Sequence, residues 1–255
     1  MRNPDREDAE INEVYWWSKW ARLRWHGRGY LLTSESYREP FFNRAGSLAC
    51  EESGRTASWA ERVFSQQGTD ATVLVFDSCT AASRKLLDLG YARVDTMSVL
   101  VSGGPIGVPE LEGWKVGQAN SPEGWTRAYL RAFYGDEVLS PATVPIVSRL
   151  MKSKGVTLLE ARVKGQTAGV LALFRTNGIG GVYCVGTVPE FRGLGVATGL
   201  LATAKQMAEA DGRRLVLQTL ASEGSMAFYT RRRFEAMYSK HVLERKLKSL
   251  SKGRE

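Results

Sequence analysis

The sequence predicts an α/β fold: a mixed α+β sheet, mostly antiparallel, in each of two domains. Three observations point there. Between residues 156 and 188, three strand-like segments follow one another through tight turns, which makes a meander. A glycine-rich turn then joins a strand to a long amphipathic helix. The strand, helix, strand order that closes the chain also occurs once in its first half.

The 255 residues, 43% of them hydrophobic, suffice for one large core or two modest ones. A charged fraction of 24% is that of a globular chain rather than a disordered one. The net charge of +8 suits a polyanionic partner. The basic residues are scattered, which favours a small polyanion such as a nucleotide cofactor over nucleic acid. Cys50, Cys79 and Cys184 form no CxxC pair, and His26 and His241 are isolated. Neither a disulfide framework nor a metal site is therefore expected, and Cys184 reads as a small buried strand residue. The N-terminus lacks an apolar signal region, and no segment reaches the roughly 18 apolar residues of a membrane helix. The expectation is a cytoplasmic chain, monomer or homodimer, without membrane or nucleic-acid partners.

Taken in order, the first dozen residues are charged and read as loose. Trp16, Trp17, Trp20 and Trp25 read as core and strand-face aromatics. Residues 51–67 have helical character. Thr72 to Phe76 is an apolar, β-branched strand, and Ala81 to Leu89 is an amphipathic helix stopped by Gly90. Asp95 to Val101 returns as a strand. Residues 102–109 (SGGPIGVP) read as a linker, dividing the chain into domains 1–105 and 106–255. Beyond it, 123–133 and 143–152 read as helices. The meander follows, as strands 156–163, 167–175 and 181–188, with Thr176-Asn177-Gly178 as a hairpin signal. A helix over 195–210 places Leu200, Leu201, Ala204, Met207 and Ala208 on one face. Strand 214–219, helix 225–232 and strand 234–243 complete the order, and 244–255 reads as a fraying end.

A repeat underlies this order. Tyr91 and Phe234 each follow a short helix and open a final strand, and 234 − 91 = 143. At that offset Thr72-Val73-Leu74 falls on Leu215-Val216-Leu217, and Val99-Leu100 on Val242-Leu243.

The chemistry is concentrated in Arg192-Gly193-Leu194-Gly195-Val196-Ala197, between a strand and the long helix. Glycines there let the backbone approach a bulky ligand. The helix start offers free N–H groups and a positive dipole end, which suits a pyrophosphate. A P-loop would need G-x-x-x-x-G-K-[S/T], which does not occur. A dinucleotide fingerprint G-x-G-x-x-G/A fails at Thr198. The pattern R/Q-x-x-G-x-G/A is met by Arg192, Gly195 and Ala197.

On that motif and the element order over residues 115–243, the chain resembles the GNAT superfamily of acyl-CoA N-acyltransferases. Residues 227–234 (AFYTRRRF) resemble a further segment of the family, although Arg233 stands where glycine is usual and Ser222 where asparagine is usual. The resemblance implies two GNAT-like domains with a splayed parallel strand pair. It implies acetyl-CoA as cosubstrate, with no metal, and an amine acceptor. Coenzyme binding is expected from Val185, Gly186 and Thr187 on the strand, from Arg192 to Ala197, and from Ser222. A backbone N–H near Val185 to Thr187 would serve the thioester oxygen, Gly186 allowing a bulge. Tyr229 would be the acid that protonates the leaving thiolate. No base stands out; Tyr183, Glu160 and Glu137 are candidates.

Mapped by the offset, Arg192 falls on Ala49 (192 − 143) and Tyr229 on Leu86 (229 − 143), so the first domain reads as a degenerate copy. Phe41-Phe42-Asn43-Arg44-Ala45 resembles a segment of silent first domains in tandem GNAT proteins. The function implied is acetyl transfer from acetyl-CoA to a primary amine by direct attack in a ternary complex. The alternatives are a non-catalytic acyl-CoA sensor and a transferase for another acyl group.

Overall fold

The computed structural model describes residues 4–107, 113–139, 141 and 143–247. In chain order its elements are α1 (Pro4–Trp17), β1 (Arg22–His26), β2 (Gly29–Thr33), β3 (Arg44–Ser47), α2 (Ser53–Gln67), β4 (Ala71–Phe76), α3 (Thr80–Asp88) and β5 (Ala92–Ser102). There follow β6 (Trp114–Gln118), α4 (Pro122–Tyr134), α5 (Thr143–Met151), β7 (Val156–Val163), β8 (Gln166–Arg175), β9 (Ile179–Thr187), α6 (Val196–Ala210), β10 (Arg214–Leu220), α7 (Met226–Thr230) and β11 (Phe234–Arg245).

Contacts divide the chain into two compact units, neither of them a single segment. Unit 1 is Met1–Glu13, Leu100–Gln218 and Met226–Glu235; unit 2 is Val14–Val99, Thr219–Ser225 and Ala236–Glu255. The cut expected between residues 105 and 106 falls inside the Leu100–Gln218 stretch of unit 1. The expected linker is also not bare. Gly103 N–H donates to Arg233 O at 2.7 Å, and Ile106 is buried in the unit 1 core. Its last two residues lie outside the described ones.

In unit 1 the strand order is β10-β9-β8-β7-β6. The pairs from β6 to β9 are antiparallel and β9 with β10 is parallel, giving the mixed, mostly antiparallel sheet expected. Tight turns make the meander: Lys164 and Gly165 have φ of 49° and 83°, and Gly178 has 69°. On one face α6 buries Leu200, Leu201, Ala204 and Ala208 against Leu171, Leu173, Val182, Leu215 and Leu217, the helix face read from its periodicity. α4 is tied to β7 through Trp125, whose Nε1–H donates to Leu159 O at 3.1 Å.

From Pro4 onward the segment read as loose is helical, and residues 1–3 lie outside the described ones. Pro4 opens α1, and Asp5 and Glu7 fall in its first turn, where the helix dipole favours them. Asn12, 1% exposed, donates to Phe174 O and to Thr176 Oγ1, and accepts from the Tyr183 hydroxyl at 2.7 Å. The segment reads as charged because the face it buries is polar.

Unit 2 repeats the plan. Its order is β1-β2-β3-β4-β11, with an antiparallel meander β1-β2-β3 and a parallel β3–β4 pair. α2 packs Ala57, Ala60 and Phe64 on Leu31, Val73 and Val75. Phe41-Phe42-Asn43-Arg44-Ala45 builds the end of the β2–β3 loop: Phe41 stacks on Trp17, Arg44 lies over the Trp17 ring at 5.4 Å, and Asn43 Oδ1 accepts from Ser34 N–H.

One expectation about cysteine is corrected and another refined. Cys50, before α2, and Cys79, before α3, form a disulfide with Cα atoms 5.3 Å apart, so residues 29 apart in sequence meet through the fold. Cys184 lies in strand β9 as expected, half-buried, but with a φ of 55°, and desolvation pushes its thiol up to about 12. Thiol titration of the denatured, unreduced chain should therefore count one group, and three after reduction. Closing a loop of this length is worth roughly 3–4 kcal/mol, so reduction should lower the denaturation midpoint. Three thiols before reduction would contradict the bridge. The expected fraying end splits: Glu244 and Arg245 complete β11, and residues beyond 247 lie outside the described ones.

Candidate active site

The ladder between β9 and β10 runs from Ile179↔Arg214 to Val182↔Leu217, while β9 continues to Thr187. The parallel pair thus splays from Tyr183 onward. The opposite ladder slips there too: Val170 pairs with Gly186 and Ala172 with Tyr183, leaving Cys184 and Val185 against Leu171 alone. This is a β-bulge. The expected bulge at Gly186 therefore lies one step earlier, turned by Cys184 in the left-handed region. Gly186 serves packing instead. A Cβ on it would fall 2.8 Å from both Ala132 Cβ and the Phe133 ring of α4. Gly186→Ala should cost about 1–3 kcal/mol, as for an overpacked core, measured by denaturant unfolding. An unchanged midpoint would show that α4 yields freely.

Beyond β9, Pro189 starts a short 3-10 turn, Arg192 is extended, and Gly193 and Gly195 take φ of 81° and 80°. Gly195 is the N-cap of α6, with no side-chain cap. The first-turn N–H groups of Val196, Ala197 and Thr198 have no carbonyl partner inside the helix, and left-handed residues before a helix gather such groups into an anion-binding concavity. Gly169 brings this helix start onto the sheet: a Cβ there would lie 2.6 Å from Val196 Cγ1 and 2.7 Å from Gly186 O.

The result is a cleft of about 490 Å³ in unit 1. It brings together eight of the expected coenzyme residues: Val185, Gly186 and Thr187 on one side, and Arg192, Gly193, Gly195, Val196 and Ala197 on the other. Leu194 is not among its lining; its side chain is 41% exposed. Ser222 is not either, and belongs to unit 2. Its Oγ donates to Asp95 Oδ2, and its N–H donates to Asp95 Oδ1 at 3.3 Å. Although desolvation pushes the Asp95 carboxyl up, these bonds and the Thr96 and Ala221 N–H groups hold it below its ordinary value. Tyr229 does not line the cleft: its ring packs on the unit 1 core, edge-on to Phe234 at 5.9 Å and to the cleft-lining Phe228 at 5.1 Å.

Two cations face the cleft. Arg192 donates to Ala132 O at 3.1 Å, in the last turn of α4, where a cation is favoured. Its Nε–H also reaches Thr187 O at 3.4 Å. Arg232 was not singled out by the sequence. Its guanidinium lies 3.5 Å from the Phe228 ring centre, and it donates to Thr198 Oγ1 and Phe228 O, both at 2.8 Å. Desolvation and the neighbouring Arg231 lower its pKa, and Tyr229 acts in the opposite sense. Phe228 and Arg232 are four apart, the spacing that places side chains on one helical face; that spacing was the available signal.

The base candidates all have partners. Tyr183 donates to Asn12, Glu160 accepts from Arg162 Nε at 2.8 Å, and Glu137 pairs with Arg131 Nε at 2.9 Å. Among the described residues, no group of three His, Cys, Asp or Glu is placed to hold a metal ion, and no helix is long and apolar enough to cross a membrane.

Strand splay, bulge and glycine-turned helix start together make a cleft with open backbone N–H groups at one end and two cations beside it. Consistent with this, residues 128–248 match the family model of the acetyltransferase (GNAT) domain. This part of the chain is a GNAT domain, and the protein is an acyltransferase. The fold extends over nearly the whole chain of a GCN5-related N-acetyltransferase from Kribbella flavida, with a TM-score of 0.67, 17% identity, and 96% and 97% of the two chains covered. A GCN5-related N-acetyltransferase from Sphaerobacter thermophilus aligns with a TM-score of 0.65 and 17% identity over 86% of this chain and 76% of that one. A tandem GNAT protein from the clavulanic acid biosynthesis pathway aligns with a TM-score of 0.56 and 14% identity over 85% and 81%. No curated protein matches in sequence.

Proposed function

We propose that the protein transfers an acetyl group from acetyl-CoA to a primary amine by direct attack in a ternary complex, with one working site per chain. The observation that carries this is the pairing of left-handed Gly193 and Gly195 with the open first turn of α6, beside a strand pair that splays and bulges. The pyrophosphate would rest on the turn, with Arg192 and Arg232 as counter-charges, and the pantetheine arm would run along Val185 to Thr187. The amine nitrogen forms a bond to the thioester carbon as the C–S bond breaks. The oxygen that gains charge needs a donor, which a backbone N–H at the bulge would supply. Tyr229 would pass its proton to the leaving thiolate, a transfer between groups of similar pKa, and recover one from solvent. The ammonium proton would leave through water.

We further propose that the first copy is silent. In unit 2 the β3–β4 register spans 73 − 45 = 28 residues, where β9–β10 spans 216 − 181 = 35. Three of the seven missing residues fall where the motif turn would be, since 188–195 join β9 to α6 and only 48–52 join β3 to α2, and the other four shorten the strand before it. Between Ser47 and Ser53 stand only Leu48-Ala49-Cys50-Glu51-Glu52, with no glycine, no arginine and two carboxylates. Cys50 is also tied to Cys79, which the 143-residue offset places on Ser222, so the bridge closes the route a pantetheine arm would take. Isothermal titration of the intact chain with acetyl-CoA should give one site per chain. Two sites would contradict the silent copy, and none would contradict the reading as a whole.

The rival reading is a coenzyme sensor without turnover, favoured by the engagement of Ser222 with Asp95. A cytoplasmic setting, no metal requirement, and a monomer or homodimer without nucleic acid complete the proposal.

A further inference from the structure

Unit 2 contains a second cavity, of about 450 Å³, that the acyl-transfer reading does not use. It lies between β1 and the C-terminal half of α2. Arg22 and Arg24 pair in register with Thr33 and Leu31 of β2. Leu31 is in the core beneath α2. Both arginines therefore project to the α2 face, where Gln66 and Gln67 complete the wall.

The cavity is rich in donors and short of acceptors. Among the described residues, no carboxylate forms an ion pair with Arg22 or Arg24; Arg24 instead lies over the Trp59 ring at 5.8 Å. The Arg24 Nε–H and the Trp20 indole N–H are shielded from solvent and have no hydrogen-bond partner among the described residues. Buried donors are satisfied in nearly all folded proteins, so these two leave the wall itself short of acceptors, and the cavity is faced by the guanidinium groups of Arg22 and Arg24. Glu35 at the same cavity is the one carboxylate among its lining residues, against two guanidiniums.

We propose that this cavity binds a small organic anion. Its oxyanion, carboxylate or phosphoryl, would sit between Arg22 and Arg24, and a donor group elsewhere on the ligand would face Glu35. A guanidinium matches both oxyanions through paired N–H bonds, and the volume lies within the range of metabolite pockets. The proposal stands independently of the acyl-transfer site, which lies in unit 1.

Thermal denaturation and isothermal titration of the full chain would use inorganic phosphate, citrate and an equal ionic strength of sodium chloride. The expected result is saturable binding of phosphate, of citrate or of both at millimolar concentration or below, beyond the chloride control. Binding of phosphate alone assigns a phosphoryl ligand, and binding of citrate alone a carboxylate. Arg22→Gln, at an exposed position that leaves the core intact, should weaken binding about ten-fold or more, the effect of losing one charge-assisted contact. Gly195→Val, in the acyl-coenzyme turn, should leave it unchanged. Equal stabilisation by chloride, no saturable binding of either probe, or equal binding by Arg22→Gln would each overturn the proposal.

Discussion

Gly195→Val is expected to abolish productive binding of acetyl-CoA, raising its dissociation constant about a hundred-fold or more while leaving the protein folded. Gly195 holds φ 80° and ψ 7° at the mouth of α6. An L-residue in that region costs about 1–2 kcal/mol, and a β-branched one is a genuine outlier there. Relief of that strain turns the peptide units on either side, which re-aims the N–H groups of Val196 and Ala197. Each hydrogen bond to a charged group is worth about 1.5–3 kcal/mol, so losing one or two reaches a hundred-fold. Titration calorimetry with acetyl-CoA measures it directly. Leu194→Ala is the control: that side chain is exposed and does not line the cleft, so its affinity should stay near that of the parent. Unchanged affinity in Gly195→Val would show that the coenzyme phosphates lie elsewhere.

Tyr229→Phe is expected to lower turnover by about 10²–10³-fold, the usual worth of a positioned general acid, with the acetyl-CoA KM little changed. The aromatic contacts with Phe228 and Phe234 involve the ring, so phenylalanine keeps them and only the hydroxyl is removed. A fall in turnover without a fall in coenzyme affinity separates the acid from a packing role, since lost packing would move both. Undiminished turnover would remove Tyr229 from the mechanism.

How legible these features were depended on how local their causes are. The α6 face, the meander and the motif turn follow from spacing within a dozen residues, and the structure has them where periodicity and glycines put them. α1 escaped because Asn12 is buried by long-range hydrogen bonds to Phe174, Thr176 and Tyr183, and a polar buried face carries no hydrophobic period. The Cys50–Cys79 bridge escaped because only the folded β3–β4 pair brings those turns together. Cys184 was read as a small buried strand residue, and its left-handed backbone escaped because the register slip there is set against β8, not by its own neighbours. Arg232 was lost among Arg231, Arg232 and Arg233; its stacking on Phe228 distinguishes it only in three dimensions. The offset of 143 was visible, but the seven residues by which the first strand, helix and strand unit is shorter than the second emerge only from strand register.

The central claim, that the unit 1 cleft transfers acetyl from its coenzyme to an amine, is tested most directly by thiol release. The intact protein is incubated with acetyl-CoA and a panel of primary amines, namely amino acids, polyamines, aminoglycosides and peptide N-termini, and free coenzyme thiol is followed beside the mass of the amine. The account predicts amine-dependent thiol release with a matching 42-dalton gain on at least one amine, and its loss in Gly195→Val. Tight binding of acetyl-CoA without thiol release on any amine of the panel would contradict it and leave a coenzyme sensor in its place.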